Sequence, residues 1–136
     1  MNIYFAGSIR SGREKAYDYQ KMVNRFEANG HNVLTKHVGD PNLPQEGEGI
    51  PLDKIFERDT KWIKEADLFF ADITIGSIGV GYEICYAESH GKKVYVAYEK
   101  DANVSGFIQG NKNLNFLPYE SIDEVLEYID KICQST

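Results

Sequence analysis

The chain has 136 residues, which suits one domain with a substantial hydrophobic core, so we expect residues 1–136 to form a single domain. Its net charge of −6 argues against a general nucleic-acid binder, which usually carries a basic face, and 42% hydrophobic residues indicate a globular rather than a disordered chain. Two cysteines in unrelated segments suggest no zinc site or disulfide framework, and the lack of a long apolar run or a leader predicts a soluble, cytoplasmic protein.

The first third of the chain predicts two strands separated by a helix. Asn2–Ala6 is apolar and aromatic, as expected of a strand, and Gly7–Arg13 follows as a turn with two glycines, two hydroxyls and two arginines. A helix is predicted from about Glu14 to Asn29, and Asn32–Val38 is predicted to be the second strand. The helix would bury an apolar stripe made of Tyr17, Met22, Val23 and Phe26.

The middle of the chain contains a polar loop, a helix and a glycine-rich turn. Gly39–Pro51 holds three of the four prolines and three glycines, and loops of this length are commonly functional or mobile. The helical pattern returns at Leu52 and closes at Glu65–Asp67, before an apolar strand at Leu68–Ile73. Gly76–Gly81 then reads as a turn, with a helix from Tyr82 to about His90.

The last third continues the alternation. Lys93–Tyr98 and Asn115–Tyr119 predict strands, with a polar connection at Asp101–Asn113 that has room for short structure, and a final helix capped by Ser121. Alternating strands and helices indicate a parallel sheet with helices on both faces. Ligands of such sheets bind beyond the carboxyl ends of the strands, where the turns after the first and third strands would meet.

The turn Gly7–Arg13 has the composition of an anion site. Two arginines, hydroxyls and exposed amides before a helix suit a phosphate or carboxylate, although the same residues also fit a solvated loop. The Gly-Lys-Ser/Thr ending of a nucleotide triphosphatase loop is absent. Gly79–Gly81 misses the dinucleotide fingerprint, so we propose no nicotinamide cofactor.

Two carboxylates are candidates for catalysis. Glu83, placed in the first turn of its helix, is expected to be ionised and could act as nucleophile or base, or be an ordinary helix-start residue. Asp59 lies among apolar neighbours, so it is either a partly buried proton donor or a surface residue paired with Lys61 or Arg58. The hydroxyl of Tyr4, by default a core residue, could bond Glu83. The three histidines make no metal-ligand pattern.

Three separated motifs together resemble a known family. Ile3–Arg13, Asp59–Ile63 with Ala66–Asp67, and Ser77–Glu83 resemble the 2'-deoxynucleoside 5'-phosphate N-hydrolases of the nucleoside 2-deoxyribosyltransferase superfamily, and Ser105–Gly110 extends the resemblance. The resemblance implies an α/β fold, a Rossmann-like or flavodoxin-like three-layer sandwich with a five-stranded parallel sheet. It also implies cleavage of the bond between a base and 2-deoxyribose 5'-phosphate.

The resemblance assigns a role to each matching residue. Glu83 matches the nucleophile that forms a glycosyl-enzyme intermediate, Asp59 the acid that assists departure of the base, and Tyr4 the residue that positions the nucleophile. The substrate- and phosphate-binding positions are Gly7, Ser8, Ile9, Arg10, Gly12, Arg13, Ser77 and Gly79. Ser105 matches a serine supplied by a neighbouring subunit, so a homodimer with shared active sites is expected. The expected partner is a small nucleotide, with no nucleic acid polymer, membrane, metal or cofactor.

Other functions stay open at this point. A nucleoside 2-deoxyribosyltransferase would pass the sugar to a second base, but Arg10 and Arg13 favour a phosphorylated substrate. A ribonucleotide N-glycosidase of the cytidine monophosphate type and a non-catalytic nucleotide-binding module also fit the motifs. Base preference is not determined, because Gly39–Pro51 has its own composition.

Overall fold

The centre of the sheet consists of apolar strands that pair in parallel. In the computed structural model, which describes residues 1–136, β1 (Asn2–Ala6) pairs with β3 (Leu68–Asp72), with Tyr4 opposite Phe69. The remaining strands are β2 (Asn32–Val33), β4 (Lys93–Glu99) and β5 (Asn115–Tyr119). All neighbours are parallel, in the order β2-β1-β3-β4-β5. This is the flavodoxin-like order, so the expected fold class is confirmed.

Helices cover both faces of the sheet. They are α1 (Ala16–Ala28), α2 (Leu52–Glu65), α3 (Ile78–Ser89), α4 (Gly106–Gln109) and α5 (Ile122–Gln134), with a 3-10 helix at Lys36–Gly39. One core joins α1 and α5 to side chains such as Phe5 and Phe70, and the other joins α2 and α3 to Tyr4 and Phe69. Successive strand residues point to opposite faces, so β1 and β3 supply both cores.

The second strand is shorter than predicted. Only Asn32–Val33 pairs with β1, whereas Asn32–Val38 was expected to be extended. The Thr35 hydroxyl accepts a hydrogen bond from Phe5 N (2.8 Å) and donates one to Phe5 O (2.6 Å), so a side chain replaces the backbone ladder at this point. The chain can therefore leave the sheet and turn into the 3-10 helix.

The helix that carries Glu83 begins earlier than predicted. It starts at Ile78 instead of Tyr82, because the Ser77 hydroxyl caps it by accepting a hydrogen bond from Val80 N at 3.3 Å. Gly79 and Gly81 are thus helical residues rather than turn residues. Glu83 lies in the second turn, so the expectation that the first-turn amides keep it ionised is wrong.

The other differences are local. Tyr17 is 70% exposed and Tyr19 is buried in its place on α1, which begins at Ala16 rather than Glu14. The Tyr19 ring packs closely on Gly7, where a Cβ atom would lie 2.9 Å from it, and its hydroxyl accepts a hydrogen bond from Ser8 N at 3.2 Å. The predicted polar connection contains the short helix α4. Ser121 caps α5 as expected.

Candidate active site

A cleft in two parts opens where the turn after β1 meets α2 and α3. The polar chamber has a volume of about 390 Å³ and also borders the loop 40–51. The apolar chamber has a volume of about 240 Å³ and carries the side chains of Leu52, Ile55, Phe56, Ile63, Tyr82 and Tyr86. Both chambers are lined by Asp59 and Glu83, so the two carboxylates lie at the boundary between them.

Glu83 is held by a buried tyrosine of the sheet. The Tyr4 hydroxyl donates a hydrogen bond to Oε2 of Glu83. The Tyr4 ring is 1% exposed and stacks on Phe69, with ring centroids 5.2 Å apart, so the hydroxyl has a fixed position. Burial raises the pKa of Glu83 to about 7, against the opposing effect of the Tyr4 hydrogen bond. Glu83 therefore titrates near neutral pH.

Asp59 is held by a charged partner instead. Nε of Arg58 donates to Oδ1 of Asp59 at 2.9 Å. Burial raises the pKa of Asp59 above its usual value, and the Arg58 guanidinium opposes that rise. The side chain of Asp59 is 22% exposed, so it is neither a surface residue nor a fully buried one. It can exchange a proton with a ligand in the cleft.

Arg58 also binds the loop 40–51. Its Nη1 and Nη2 donate to Oε1 and Oε2 of Glu48 at 2.7 and 2.8 Å, in a two-pronged ion pair. The guanidinium lies over the Trp62 ring, 4.7 Å from its centroid. His37 Nε2 lies 3.5 Å from Oε1 of Glu48, and burial lowers the pKa of His37. The side chains of Arg58, Glu48, Trp62 and His37 thus form one wall beside Asp59.

Five of the proposed substrate- and phosphate-binding residues line the polar chamber: Gly7, Ile9, Arg10, Ser77 and Gly79. Arg10 is exposed, and its backbone carbonyl accepts a hydrogen bond from Gln45 Nε2 at 3.0 Å. The Arg10 guanidinium is in no ion pair of the structure, whereas the charge of Glu48 in the same chamber is taken up by Arg58. A free cation at this end of the cleft is suited to an anion.

The other proposed phosphate residues lie behind the chamber wall. Ser8 is buried, and its hydroxyl donates to Gly12 O at 2.8 Å. Gly12 has φ of +136°, a conformation that favours glycine. The guanidinium of Arg13 donates to four backbone carbonyls at 2.9 to 3.1 Å, those of Ser8, Val38, Asp40 and Leu43. In this structure Ser8, Gly12 and Arg13 shape the turn and fasten the loop 40–51 rather than line the cleft.

Ser105 does not line the cleft of its own chain. It is the N-cap of α4, accepting a hydrogen bond from Ile108 N at 3.3 Å. Its expected role requires a second subunit and stays a prediction. No group of three or more His, Cys, Asp or Glu side chains is placed to hold a metal ion. None of the helices combines the length and apolar character needed to cross a membrane.

Sequence reasoning missed most of the wall beside Asp59. Arg58 entered only as a surface partner of Asp59, and Glu48 and His37 received no role. Adjacency of Arg58 to Asp59 on an amphipathic helix was the one local signal available. Arg58 and Glu48 are ten positions apart, and Glu48 lies in an irregular loop, so no sequence periodicity predicts their ion pair.

Comparisons with known proteins agree on one family. The model of the nucleoside 2-deoxyribosyltransferase family matches residues 3–118. A protein of Thermofilum pendens, provisionally named 2'-deoxynucleoside 5'-phosphate N-hydrolase 1, is 35% identical over 97% of this chain and 94% of its own length. The 5-hydroxymethyl-dUMP N-hydrolase of Danio rerio is 43% identical over 69% of this chain and 66% of its own.

Solved structures share the fold. The CMP N-glycosidase of Clostridium botulinum superimposes with a TM-score of 0.76 at 21% identity, covering 97% of this chain and 99% of its own. The 2-deoxyribosyltransferase of Bacillus psychrosaccharolyticus gives a TM-score of 0.69 at 21% identity, covering 98% of this chain and 96% of its own.

Proposed function

The chain belongs to the nucleoside 2-deoxyribosyltransferase family, and from that membership we propose that it is a nucleotide N-glycosidase. Its substrates are 2'-deoxynucleoside 5'-monophosphates, which it hydrolyses to a free base and 2-deoxyribose 5-phosphate. The observation that carries the proposal is the Tyr4–Glu83 hydrogen bond at the junction of the two chambers, with Asp59 at the same junction. An apolar chamber on one side and a free Arg10 on the other suit a base and a phosphate.

The first step breaks the bond between the base and the sugar. A carboxylate oxygen of Glu83 attacks C1', the C1'–N bond breaks, and its electron pair leaves with the base. Asp59 donates the proton that the departing nitrogen takes up. With its pKa raised to about 7 by burial, Glu83 can reach the ionised form near neutral pH. Tyr4 keeps the attacking carboxylate in place.

The second step regenerates the enzyme. Water attacks C1' of the glycosyl-enzyme intermediate, Asp59 now accepts its proton, and the bond to Glu83 breaks with the electron pair returning to the carboxylate. The 5'-phosphate, bound at Arg10, keeps the sugar in position through both steps. Binding energy from this remote group can be used to orient the reacting carbon.

We further propose that the enzyme is a cytoplasmic homodimer. Ile78 and Tyr82, one turn apart on α3, are 94% and 64% exposed, and Phe107 of α4 is 95% exposed. The neighbouring Ile108 packs near Gly81 of α3, so α4 lies beside α3, and grouped apolar side chains mark an interaction surface. A second copy that covers this surface could bring its Ser105 to the cleft. Mixing Glu83→Ala and Ser105→Ala chains tests this, because every heterodimer of a shared-site enzyme has one site with both residues intact and so regains activity. Light scattering that shows only monomers would contradict it.

Base release from a panel of nucleotides tests the proposed activity. Deoxynucleoside monophosphates, ribonucleotides and nucleosides are each incubated with and without a second free base, and the products are separated by chromatography. We expect release from deoxynucleoside monophosphates and no exchanged product. Exchange of the base from nucleosides would indicate a transferase. Base release from ribonucleotides alone would indicate a ribonucleotide N-glycosidase. No base release from any compound would indicate a non-catalytic binding module.

Two variants assign the residues in the same assay. Glu83→Ala should retain monophosphate binding by calorimetry while turnover falls by about 10³-fold or more. Arg10→Ala should mainly raise KM and reduce the preference for nucleotide over nucleoside. If Arg10→Ala left both substrates unchanged, the phosphate would have to bind elsewhere.

A further inference from the structure

Arg58 lies between two carboxylates of different origin. One is Asp59, its neighbour on α2, and the other is Glu48 of the loop 40–51. Both ion pairs are partly shielded from solvent, since the side chains of Arg58, Glu48 and Asp59 are 25%, 16% and 22% exposed. The Trp62 ring packs against the guanidinium and limits its movement. One cation therefore serves two anions in a fixed geometry.

We infer that Glu48 and Arg58 are positioning residues that act on the reaction through Asp59, with Glu48 holding the two terminal nitrogens of Arg58 so that only Nε faces Asp59. The inference rests on the proposed function for its catalytic meaning. It extends that function to the loop 40–51, whose Glu48 thereby takes part in setting the proton affinity of the carboxylate in the cleft.

The electrostatic argument depends on how the charge of Arg58 is shared. A guanidinium has donors on two edges, and a two-pronged pair with a carboxylate uses one edge completely. While Glu48 occupies that edge, its negative charge offsets much of the attraction that Asp59 would otherwise feel. Removing the charge of Glu48 leaves Arg58 to stabilise ionised Asp59 alone. Removing Arg58 leaves Asp59 partly buried without its cation, beside a Glu48 whose remaining partner is His37.

The other groups around Asp59 do not remove this effect. Tyr4 comes from β1, His37 from the 3-10 helix and Glu83 from α3. Tyr4 is neutral, burial favours the neutral form of His37, and Glu83 carries only a partial charge near pH 7. Arg58 is thus the one full positive charge at Asp59, and Glu48 is the group that competes for it.

The two single substitutions should change Asp59 in opposite directions. Glu48→Gln keeps the size and polarity of the side chain but should lower the pKa of Asp59, because Arg58 then acts on Asp59 alone. Arg58→Gln should raise the pKa of Asp59. A merely structural role would disturb the site in the same sense in both variants. Arg58→Lys keeps the positive charge and should shift the titration less than Arg58→Gln.

The test is a ¹³C NMR titration of aspartate side-chain carboxyl groups in the full chain, with the Asp59 signal identified by its loss in Asp59→Asn. Glu57→Gln, on an exposed side chain of the same helix, is the matched control and should leave the titration unchanged. The alkaline limb of the pH profile of kcat/KM should move in the same direction as the titration in each variant. Opposite shifts support the inference. Shifts of the same sign, or none, overturn it.

The readout separates this inference from the proposed function. If the chain released no base but the Asp59 titration still moved in opposite directions, the control of Asp59 by Glu48 and Arg58 would stand and the proposed activity would be wrong. If base release occurred as proposed but the titration did not respond, Glu48 and Arg58 would only fasten the loop.

Discussion

Glu83→Gln should make the protein more stable at alkaline pH while removing its activity. The ordinary pKa of a glutamate is 4.5, and in the folded protein that of Glu83 is raised to about 7, mainly by burial. The folded state therefore binds this proton more tightly than the unfolded chain. Its contribution to stability is fully present below pH 4.5 and is lost as pH rises through 7. Glutamine does not ionise and shows no such loss.

The size of the pKa shift of Glu83 determines how much stability is lost at alkaline pH. A rise from 4.5 to about 7 corresponds to about 3 kcal/mol at about 1.4 kcal/mol per pKa unit. Glu83 lines the cleft and keeps some contact with solvent, so we expect about 2 kcal/mol. The amide oxygen of glutamine can still accept the Tyr4 hydrogen bond, so that contact is common to both proteins. The ionisation of Glu83 is therefore the main difference between the wild type and Glu83→Gln.

Urea unfolding at a series of pH values measures how the stability difference between Glu83→Gln and the wild type changes with pH. Fluorescence of Trp62, the single tryptophan, reports the transition. The free energy of unfolding of Glu83→Gln minus that of the wild type should grow by about 2 kcal/mol between pH 5 and pH 8. Glu57→Gln, on a side chain that is 63% exposed, is the matched control. A constant difference for Glu83→Gln would mean that Glu83 titrates like an unfolded glutamate, and would refute the reasoning.

Three further substitutions test other contacts. Tyr4→Phe removes a hydrogen bond that favours ionised Glu83, so the acid limb of kcat/KM should move to higher pH; an unmoved limb would contradict this contact. Tyr119→Phe leaves fully buried Asp72 without its 2.5 Å partner and should lower the free energy of unfolding by about 1–3 kcal/mol in urea; equal stability would show that Asp72 is satisfied otherwise. Arg13→Lys cannot reach four carbonyls, so limited proteolysis should cut the loop 40–51 faster. A raised KM with unchanged proteolysis would instead return Arg13 to the phosphate.

The parts of the fold that the sequence predicts are those with local causes. β1 and β3 are short apolar runs, and α5 has a cap at Ser121 followed by apolar residues at helical spacing. These patterns depend on neighbours in the chain and were read correctly. The start of α3 was misread because its glycines suggested a turn, while the Ser77 cap that decides the start is a single hydroxyl.

The parts that the sequence does not predict depend on contacts between distant segments. Thr35 ends β2 by bonding the backbone of Phe5, thirty residues away. Arg13 has the residue type of an anion ligand, but the loop 40–51 supplies carbonyls for its guanidinium. The resemblance to a family indicates which residues could share a cleft. It does not indicate which of these side chains already bind other groups of the same chain.

The two carboxylates of the cleft owe their proton affinities to different surroundings. Burial favours the protonated form of both; the Tyr4 hydroxyl opposes this at Glu83, and the Arg58 guanidinium, whose Nε lies 2.9 Å from Oδ1 of Asp59, opposes it at Asp59. The proposed first step needs an ionised Glu83 and a protonated Asp59. The charge of Asp59 also raises the pKa of Glu83, so an ionised Asp59 would hinder the ionisation that the attack requires. Tyr4 therefore favours the ionised form in which Glu83 attacks, and burial favours the protonated form in which Asp59 acts as the acid.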